Sequence, residues 1–562
     1  ITSMLSSRLG EKSLEADCPY LQAGCDNGSY LVSRTKDAFS LTAVAKPGKM
    51  LEAYAAVLRE AKRAKDFGFT PTEYVRYKED FMSGLDKMYS NRDKMKNEQF
   101  TSQYVDHFIS NEPIPSVEVE HQIYKTMVPS IPVEAINAYA KELICETDTN
   151  FVTLLMMRDA EGAVYPTKQQ LADVVKQVRG EKLEAYVDNV KQEPLMAELP
   201  KAGKIKKTTE NKLFGYKMLT LSNGAKVVLK KTDFKNDEVQ FAATADGGTS
   251  VFGTKDLNEV KMMGALMNSS GLRGFTNNDL EKVLAGKIAS CGFSVSKYLE
   301  TLMQLIYLKL TNLTKDEKAV NNLINNQVTA LANRSNNPQA VFQDSLTSTL
   351  YPGNPVFRTM TVDEVKSVNY DRALELGKQL FGNAKDYTFF FVGNFDEAKI
   401  LPLIEQYIAS LPNNGKKFKN VETLPVKGEV INKFTKAMEN PQDVAVEIWC
   451  SEAPYTLRNS VLADIAARVI NMDYNRNIRE KLSAAYYAGA DAMESVKLDG
   501  KTMRVGVTGN AMMNPDKSKD AIPYFYSGLK DAMEQPNLDD LQKVKEILLK
   551  QADVSCKQNG YW

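Results

Sequence analysis

Few side chains in this sequence could carry chemistry, and the histidines are the first to weigh. Only His107 and His121 occur in 562 residues. A site built on two or three imidazoles, as metal ligands or proton carriers, has almost nothing to draw on. His107 stands in the run Tyr104-Val105-Asp106-His107-Phe108, which passes from polar to apolar and reads as a packed histidine. His121 closes the run Val117-Glu118-Val119-Glu120-His121 and reads as a surface or loop residue. That run has the Glu-His end of the metal-binding pattern H-x-x-E-H, but valine where the first histidine belongs.

The other reactive residues are equally sparse. Cys18, Cys25, Cys145, Cys291, Cys450 and Cys556 contain no C-x-x-C pair, which argues against a zinc ribbon or a disulfide framework. They read as isolated buried thiols, with a single Cys18–Cys25 bridge left open for an exported protein. Gly271-Leu272-Arg273-Gly274-Phe275 lacks the G-K-[ST] of a phosphate loop and reads as a turn between helices. Arg479 and Tyr486 are seven residues apart, so on an unbroken helix they would sit two turns apart on one face. Taken alone, Arg479 could be a cation at a helix C-terminus and Tyr486 a half-buried strand aromatic. Tyr487 competes for any role given to Tyr486.

Composition bounds the class. The chain has 71 basic and 71 acidic residues and no net charge, so no global field draws nucleic acid or an anionic membrane. Mean hydropathy is -0.35, and no apolar run reaches the roughly 18 residues of a membrane span. A chain of 562 residues should divide into about three or four domains.

The elements that would position these residues come in repeats. A charged helix from Glu73 to Asn97, a turn at Asn111-Glu112-Pro113-Ile114-Pro115, a helix with Val133, Ile136, Ala138 and Tyr139, and a β-rich run from Asn150 to Met157 follow in order. The same order returns with a helix from Lys315 to Asn333, a turn at Tyr351-Pro352-Gly353-Asn354-Pro355 and a helix from the start signal Thr361-Val362-Asp363-Glu364 through Leu380. A strand from Tyr387 to Val392, ending at Gly393, completes it. Residues 1–85 and 460–552 share a second pattern of helix, alternating strands and long helix. In the latter the helix Val461–Lys481 leads to Tyr486-Tyr487-Ala488-Gly489-Ala490 and the strand Thr502–Thr508. Helices interleaved with alternating strands indicate α+β units, each a sheet covered on one face by helices. Lysine, glutamate and glutamine dominate residues 161–212, which read as a solvated linker or a basic contact strip. A shorter junction follows at 413–429.

Two motifs carry a family resemblance. Leu219-Thr220-Leu221-Ser222-Asn223-Gly224-Ala225-Lys226-Val227-Val228-Leu229, followed by Asp246-Gly247-Gly248 and a helix, resembles the opening strand of a pitrilysin-like domain. Arg479-Glu480-Lys481-Leu482-Ser483-Ala484-Ala485-Tyr486 is similar to the R-E-x-L-x-x-x-Y element of the last such domain. The resemblance is to the pitrilysin-like (insulinase) zinc metallopeptidases and covers nearly the whole chain. It implies an α+β fold of tandem homologous units, each a mostly antiparallel sheet with helices on one face, as also in mitochondrial processing peptidase. Four units form two bowl-like halves around a closed chamber. This chain would hold the second unit (1–160), the third (213–412) and the fourth (430–562).

The resemblance also assigns chemistry. The family binds zinc through H-x-x-E-H on a helix of its first unit, with a further glutamate as ligand. The equivalent helix of the 213–412 unit reads Met262-Met263-Gly264-Ala265-Leu266, which can neither hold zinc nor move a proton. Zinc is therefore expected on a first unit supplied in cis or by a partner chain, with none bound here, and the chain alone is expected to be inactive. Both ends, at Ile1 and at Asn559-Gly560-Tyr561-Trp562, read as truncated, and the run after Cys291 reads as short for the family. Tyr486 is implied to hydrogen-bond the scissile carbonyl or its oxyanion, and Arg479 to bind substrate backbone carbonyls. The small Ser483-Ala484-Ala485 stretch would let a substrate approach. Substrates would be peptides or unfolded polypeptides lying as an added strand on a sheet edge. The alternative is a non-catalytic scaffold or the inactive half of a two-chain peptidase. Bacterial relatives point weakly to the periplasm.

Overall fold

The structure is a computed structural model. It describes residues 1–31, 33, 35–145, 147–157, 162, 164–245, 247–290, 292–419 and 421–562, without the side chains of 293 and 533. The chain falls into two compact units, Ile1–Asn333 with Met360–Lys417, and Arg334–Thr359 with Phe418–Trp562.

The first unit opens with helix α1 (Thr2–Ser13), the hairpin β1 (Tyr20–Ser29) and β2 (Asp37–Ala45), and helices α2 (Met50–Phe67) and α3 (Pro71–Ser90). The antiparallel hairpin pairs Ala23 with Ala43 and Ser29 with Asp37. Leu5, Leu9, Tyr20, Val57 and Phe69 close the core between the hairpin and the helices. The start of α3 is fixed by its sequence: Thr70 and Glu73 form a reciprocal capping box, with Pro71 at the first helical position.

Helices α4 (Asn97–Ser110), α5 (Val117–Met127) and α6 (Val133–Leu143) follow. The single helix expected from Glu73 to Asn97 is thus α3, a short 3₁₀ turn at Arg92–Lys94, and the start of α4. Helix α5 was not foreseen, although Ser116 caps it by accepting from the Val119 amide. The β-rich run through Met157 forms no strand. It is tied by Thr153, whose hydroxyl lies 2.5 Å from that of Tyr54, while Val152, Leu154 and Met156 face solvent. Alternating apolar residues make a strand only when a neighbouring edge supplies backbone partners, and none of the described residues does so here.

Residues expected to form a linker carry helix α7 (Lys168–Gly180) and strand β3 (Ile205–Asn211). The intervening chain is anchored by bidentate pairs from Arg59 to Glu181 and from Arg76 to Asp188. Then come β4 (Tyr216–Leu221), β5 (Lys226–Lys231), β6 (Val239–Ala245), α8 (Leu257–Ser269), β7 (Gly271–Leu272) and α9 (Asn277–Val283). The short β8 (Phe293–Ser294), α10 (Leu299–Thr311), β9 (Leu313–Thr314) and α11 (Glu317–Ala332) succeed them. After α12 (Pro338–Leu350), which belongs to the other unit, the first unit ends with α13 (Val362–Lys366), α14 (Tyr370–Phe381), β10 (Tyr387–Gly393) and α15 (Glu397–Leu403).

A six-stranded sheet runs β3-β4-β5-β10-β6-β8, antiparallel except for the parallel β5–β10 pair. Its core joins Leu219, Val227, Phe389 and Phe391 to Leu302 and Ile306 of α10 and to Ile404 and Tyr407. The motif Leu219–Leu229 is a hairpin, not one opening strand. Asn223 makes its turn: Oδ1 accepts from the Ala225 amide, and Nδ2 donates to the carbonyls of Ile408 and Leu411 at 2.8 and 3.1 Å. Gly224 follows at φ 90°, open to glycine at little cost. Asp246 of the neighbouring motif lies outside the described residues, as does Cys291. The glycine-rich stretch from Gly271 to Phe275 is the expected turn, between α8 and α9. The helix expected through Leu380 is two helices, α13 with its Thr361–Glu364 capping box and α14 capped by Asn369.

In the second unit, strand β11 (Asp443–Pro454), helix α16 (Leu457–Tyr474), strands β12 (Ala485–Val496) and β13 (Thr502–Met513), and helices α17 (Pro515–Glu534) and α18 (Leu538–Ser555) make a compact layer pair. The sheet order is β11-β13-β12, all antiparallel. Ala467, Ile470 and Tyr474 of α16 and Phe525 and Leu529 of α17 pack on Val507 and Ala511 of β13. Helix α12 joins this unit through the Val426 amide, which donates to the Leu350 carbonyl, and through Phe342 stacked on Phe434. The architecture is α+β, with mostly antiparallel sheets carrying helices, as expected. No helix among the described residues is long and apolar enough to cross a membrane.

Candidate substrate-contact site

Helix α16 does not stop at Tyr474 but widens into a π-helical segment, Asn475–Lys481. Ile478 points into the core, while Arg479 on the next position is exposed. The segment ends sharply. The Leu482 amide donates to the Asn477 carbonyl, the Ala484 amide to that of Ile478, and Ser483 takes the left-handed conformation at φ 48°. Lys517 of α17 holds the end by donating to the carbonyls of Leu482 and Ser483 at 3.1 and 3.2 Å, as a cation should at a helix C-terminus. Arg476 anchors the other side through Asp540. Among the described residues, Arg479 makes no hydrogen bond or ion pair.

Tyr486 lies on the next element. Strand β12 begins at Ala485, and its register against β13 shifts between Ala485 and Tyr487, so Tyr486 sits in a β-bulge. Its side chain is 92% exposed and Tyr487 is 53% exposed. The unbroken helix expected between Arg479 and Tyr486 does not exist, because Ser483 turns the chain from helix to strand. The small residues do not form an open stretch either: Ala484 and Ala485 belong to the core and only Ser483 is exposed. What sets the pair in position is a π-helical segment and a β-bulge back to back, two irregularities that recur beside functional sites.

The surroundings are rigid. The Tyr474 hydroxyl donates to the Glu447 carboxylate and lies 3.0 Å from the Phe525 carbonyl. Burial pushes the Glu447 and Asp473 carboxyls above their ordinary range. Strand β12 is an edge of its sheet, and the Ala490 amide on that strand donates to Asn471 Oδ1 of α16. Lys517 and the turn that Ser483 makes escaped the sequence reading. Their signal was the cap Asn514-Pro515, which starts α17 close to the turn.

Among the described residues, no cluster suited to a zinc ion is formed. Met262, Met263 and Leu266 are buried on α8 among apolar neighbours. No group of three His, Cys, Asp or Glu side chains among the described residues could hold a metal. His121 is on helix α5 rather than in a loop, its Nε2 at 2.8 Å from Asp86 and its ring stacked on Tyr89. His107, expected to be packed, is exposed on α4, a helix with no buried residue, and its Nδ1 meets the Glu112 carbonyl. Cys18 and Cys25 are not bridged, and Cys145 and Cys450 are exposed rather than buried.

Residues 367–548 match the family described as peptidase M16 inactive domain. The chain resembles the M16 zinc peptidases. It is 25% identical over 516 residues to an Arabidopsis thaliana protein described as zinc protease PQQL-like, covering 89% of this chain and 52% of that one. A probable zinc protease PqqL of Escherichia coli K12 is 26% identical over 287 residues, 48% of this chain and 30% of the relative. The chain thus spans about half the length of the plant relative. Two solved structures share its fold. One is the periplasmic protease PqqL from Escherichia coli, with TM-score 0.58 and 18% identity, covering all of this chain and 63% of that one. The other is the ferredoxin protease FusC with Arabidopsis ferredoxin, with TM-score 0.60 and 14% identity, covering 99% and 62%.

Proposed function

We propose that this chain is part of a zinc-dependent endopeptidase that degrades peptides in a closed chamber, and that it supplies substrate-binding groups to a zinc site held by residues outside this sequence. The observation that carries the reading is the free presentation of Arg479 and Tyr486. A guanidinium and a phenol with no partner among the described residues, mounted on two adjoining irregular elements, are placed for a ligand rather than for the fold.

Arg479 would donate to backbone carbonyls of an extended substrate through its planar fork. The Tyr486 hydroxyl would donate to the scissile carbonyl and more strongly to the oxyanion that develops from it. Because these contacts read backbone, they suit peptides or unfolded polypeptides of varied sequence, and the net charge of zero fits that lack of bias. A fold relative solved with ferredoxin supports a polypeptide substrate, and the periplasmic description of another supports that compartment. The zinc ligands would come from a first unit in cis or from a partner chain.

The test uses the protein with its zinc-bearing part. Tyr486→Phe should lower turnover by about 10²–10³-fold, the usual effect of losing one oxyanion donor, with unchanged unfolding. Full activity would remove Tyr486 from the site. The chain of 562 residues alone should hold no stoichiometric zinc. A second reading, an inactive partner subunit, is favoured by the match to an inactive domain. It prevails if neither Tyr486→Phe nor Arg479→Ala changes turnover.

A further inference from the structure

The π-helical segment Asn475–Lys481, which carries Arg479, lies within the second compact unit. An α-helix bonds each amide to the carbonyl four residues back and turns about 100° per residue. The π path reaches five residues back, as the Leu482 amide does on the Asn477 carbonyl. The widening thus takes up one extra residue. If it relaxed to an α-helix, side chains in and beyond it would swing around the axis by up to about 100°. Arg479 would then face elsewhere. The register is braced by side chains. Arg476 pairs with Asp540 of α18, and its Nη1 lies 3.6 Å from Asp473. Asn477 donates to Asp473 at 2.9 Å and accepts from Lys481 at 2.8 Å.

Asp540 stands out in this brace. It is 2% exposed, whereas its neighbour Asp539 in the same first helical turn is at the surface. Besides Arg476, Lys543 approaches it at 3.9 Å from an exposed position. A buried carboxylate paired with an arginine is a weak source of stability, because desolvating the two charges offsets most of their attraction. What the pair adds is direction. The buried Ile478 tolerates some rotation within its apolar surroundings, but a guanidinium meets a carboxylate only along its own N–H bonds.

We propose that Asp540 is a positioning residue: by holding Arg476 it locks the π-helical register and so fixes where Arg479 is presented. This role rests on the reading of Arg479 as a substrate ligand. The test is peptide hydrolysis by the protein with its zinc-bearing part. Arg476→Met combined with Asp540→Leu removes both charges for apolar volume, so the unfolding midpoint should stay near the native value. Its KM should nevertheless rise about tenfold, the effect of losing one hydrogen bond from a charged donor, with kcat changed less. Arg479→Ala should raise KM equally, and adding the double substitution to it should raise KM no further. Asp540→Ala leaves Arg476, itself partly exposed beside Asp473, free to reach water. It should raise KM likewise and decides the matter if the double variant does not fold. A raised KM in Arg479→Ala with native KM in the Asp540 variants would overturn the role of Asp540 and leave the reading of Arg479 standing. Additive effects in the triple variant would do the same. An unchanged KM in Arg479→Ala would sink that reading, and this role with it.

Discussion

Arg8 and Glu73 meet fork to fork, Nε to Oε1 at 2.7 Å and Nη2 to Oε2 at 2.8 Å, with both side chains almost wholly buried. The pair fastens α1 to the first turn of α3, and Arg8 Nη2 adds a bond to the Gly68 carbonyl. Removing one partner strands the other charge in the core. Arg8→Ala should cost about 3–5 kcal/mol, read as a lower denaturant midpoint. A loss under 1 kcal/mol would mean that water already reaches the pair.

Glu181 provides a pH test. Its bidentate bond with Arg59, helped by Gln177, pulls its carboxyl from the ordinary 4.5 down to about 2. A depressed folded-state pKa contributes stability that is present above the unfolded value and lost as pH falls through the folded one. The stability gap between the native chain and Glu181→Gln should therefore be constant above about pH 5 and close between about pH 4.5 and 2. Both side chains are partly exposed, so the gap should also shrink in high salt.

Much of the fold was legible where a local signal and a tertiary role coincide. The Thr361–Glu364 box begins a helix in the sequence and in the structure, and the run from Tyr387 to Gly393 is the central strand β10 because its aromatics find a core. The β-rich run through Met157 shows the opposite case: its pattern is strand-like, but a strand exists only with a partner. His107 looked packed because Val105 and Phe108 flank it, yet α4 buries nothing. The candidate site was half legible in its geometry. A motif can mark Arg479 and Tyr486, but not the π-helical widening or the bulge, which arise from packing Ile478 and Ala485 into one core.

The Asn223–Gly224 turn should be intolerant in two ways. Asn223→Ala removes the Asn223 donor from the Leu411 carbonyl and one of two donors from the Ile408 carbonyl, which the Leu411 amide also meets, and should cost about 1–3 kcal/mol. Gly224→Ala forces a side chain to φ 90°, where its Cβ would meet the Lys385 Cβ at 2.9 Å, and should cost a similar ~1–3 kcal/mol. Thermal unfolding compares the two. A neutral Gly224→Ala would show that the hairpin can re-form with another turn.

Ser483 is the pivot between Arg479 and Tyr486, and its left-handed backbone makes opposite predictions for two substitutions. Ser483→Gly removes the steric cost of φ 48° and should leave stability unchanged or raise it by up to ~1 kcal/mol. Ser483→Pro cannot reach that conformation, since its ring fixes φ near −65°, and should destabilise the second unit by about 3 kcal/mol or more. The two variants also separate placement from mere presence, because both keep the guanidinium and the phenol. If the turn sets their geometry, the zinc-bearing protein with Ser483→Gly should fold normally yet turn over peptide more slowly, as a looser turn spreads the positions of Tyr486. Equal turnover in native and Ser483→Gly protein would show that the strand alone, held by β13, positions the tyrosine.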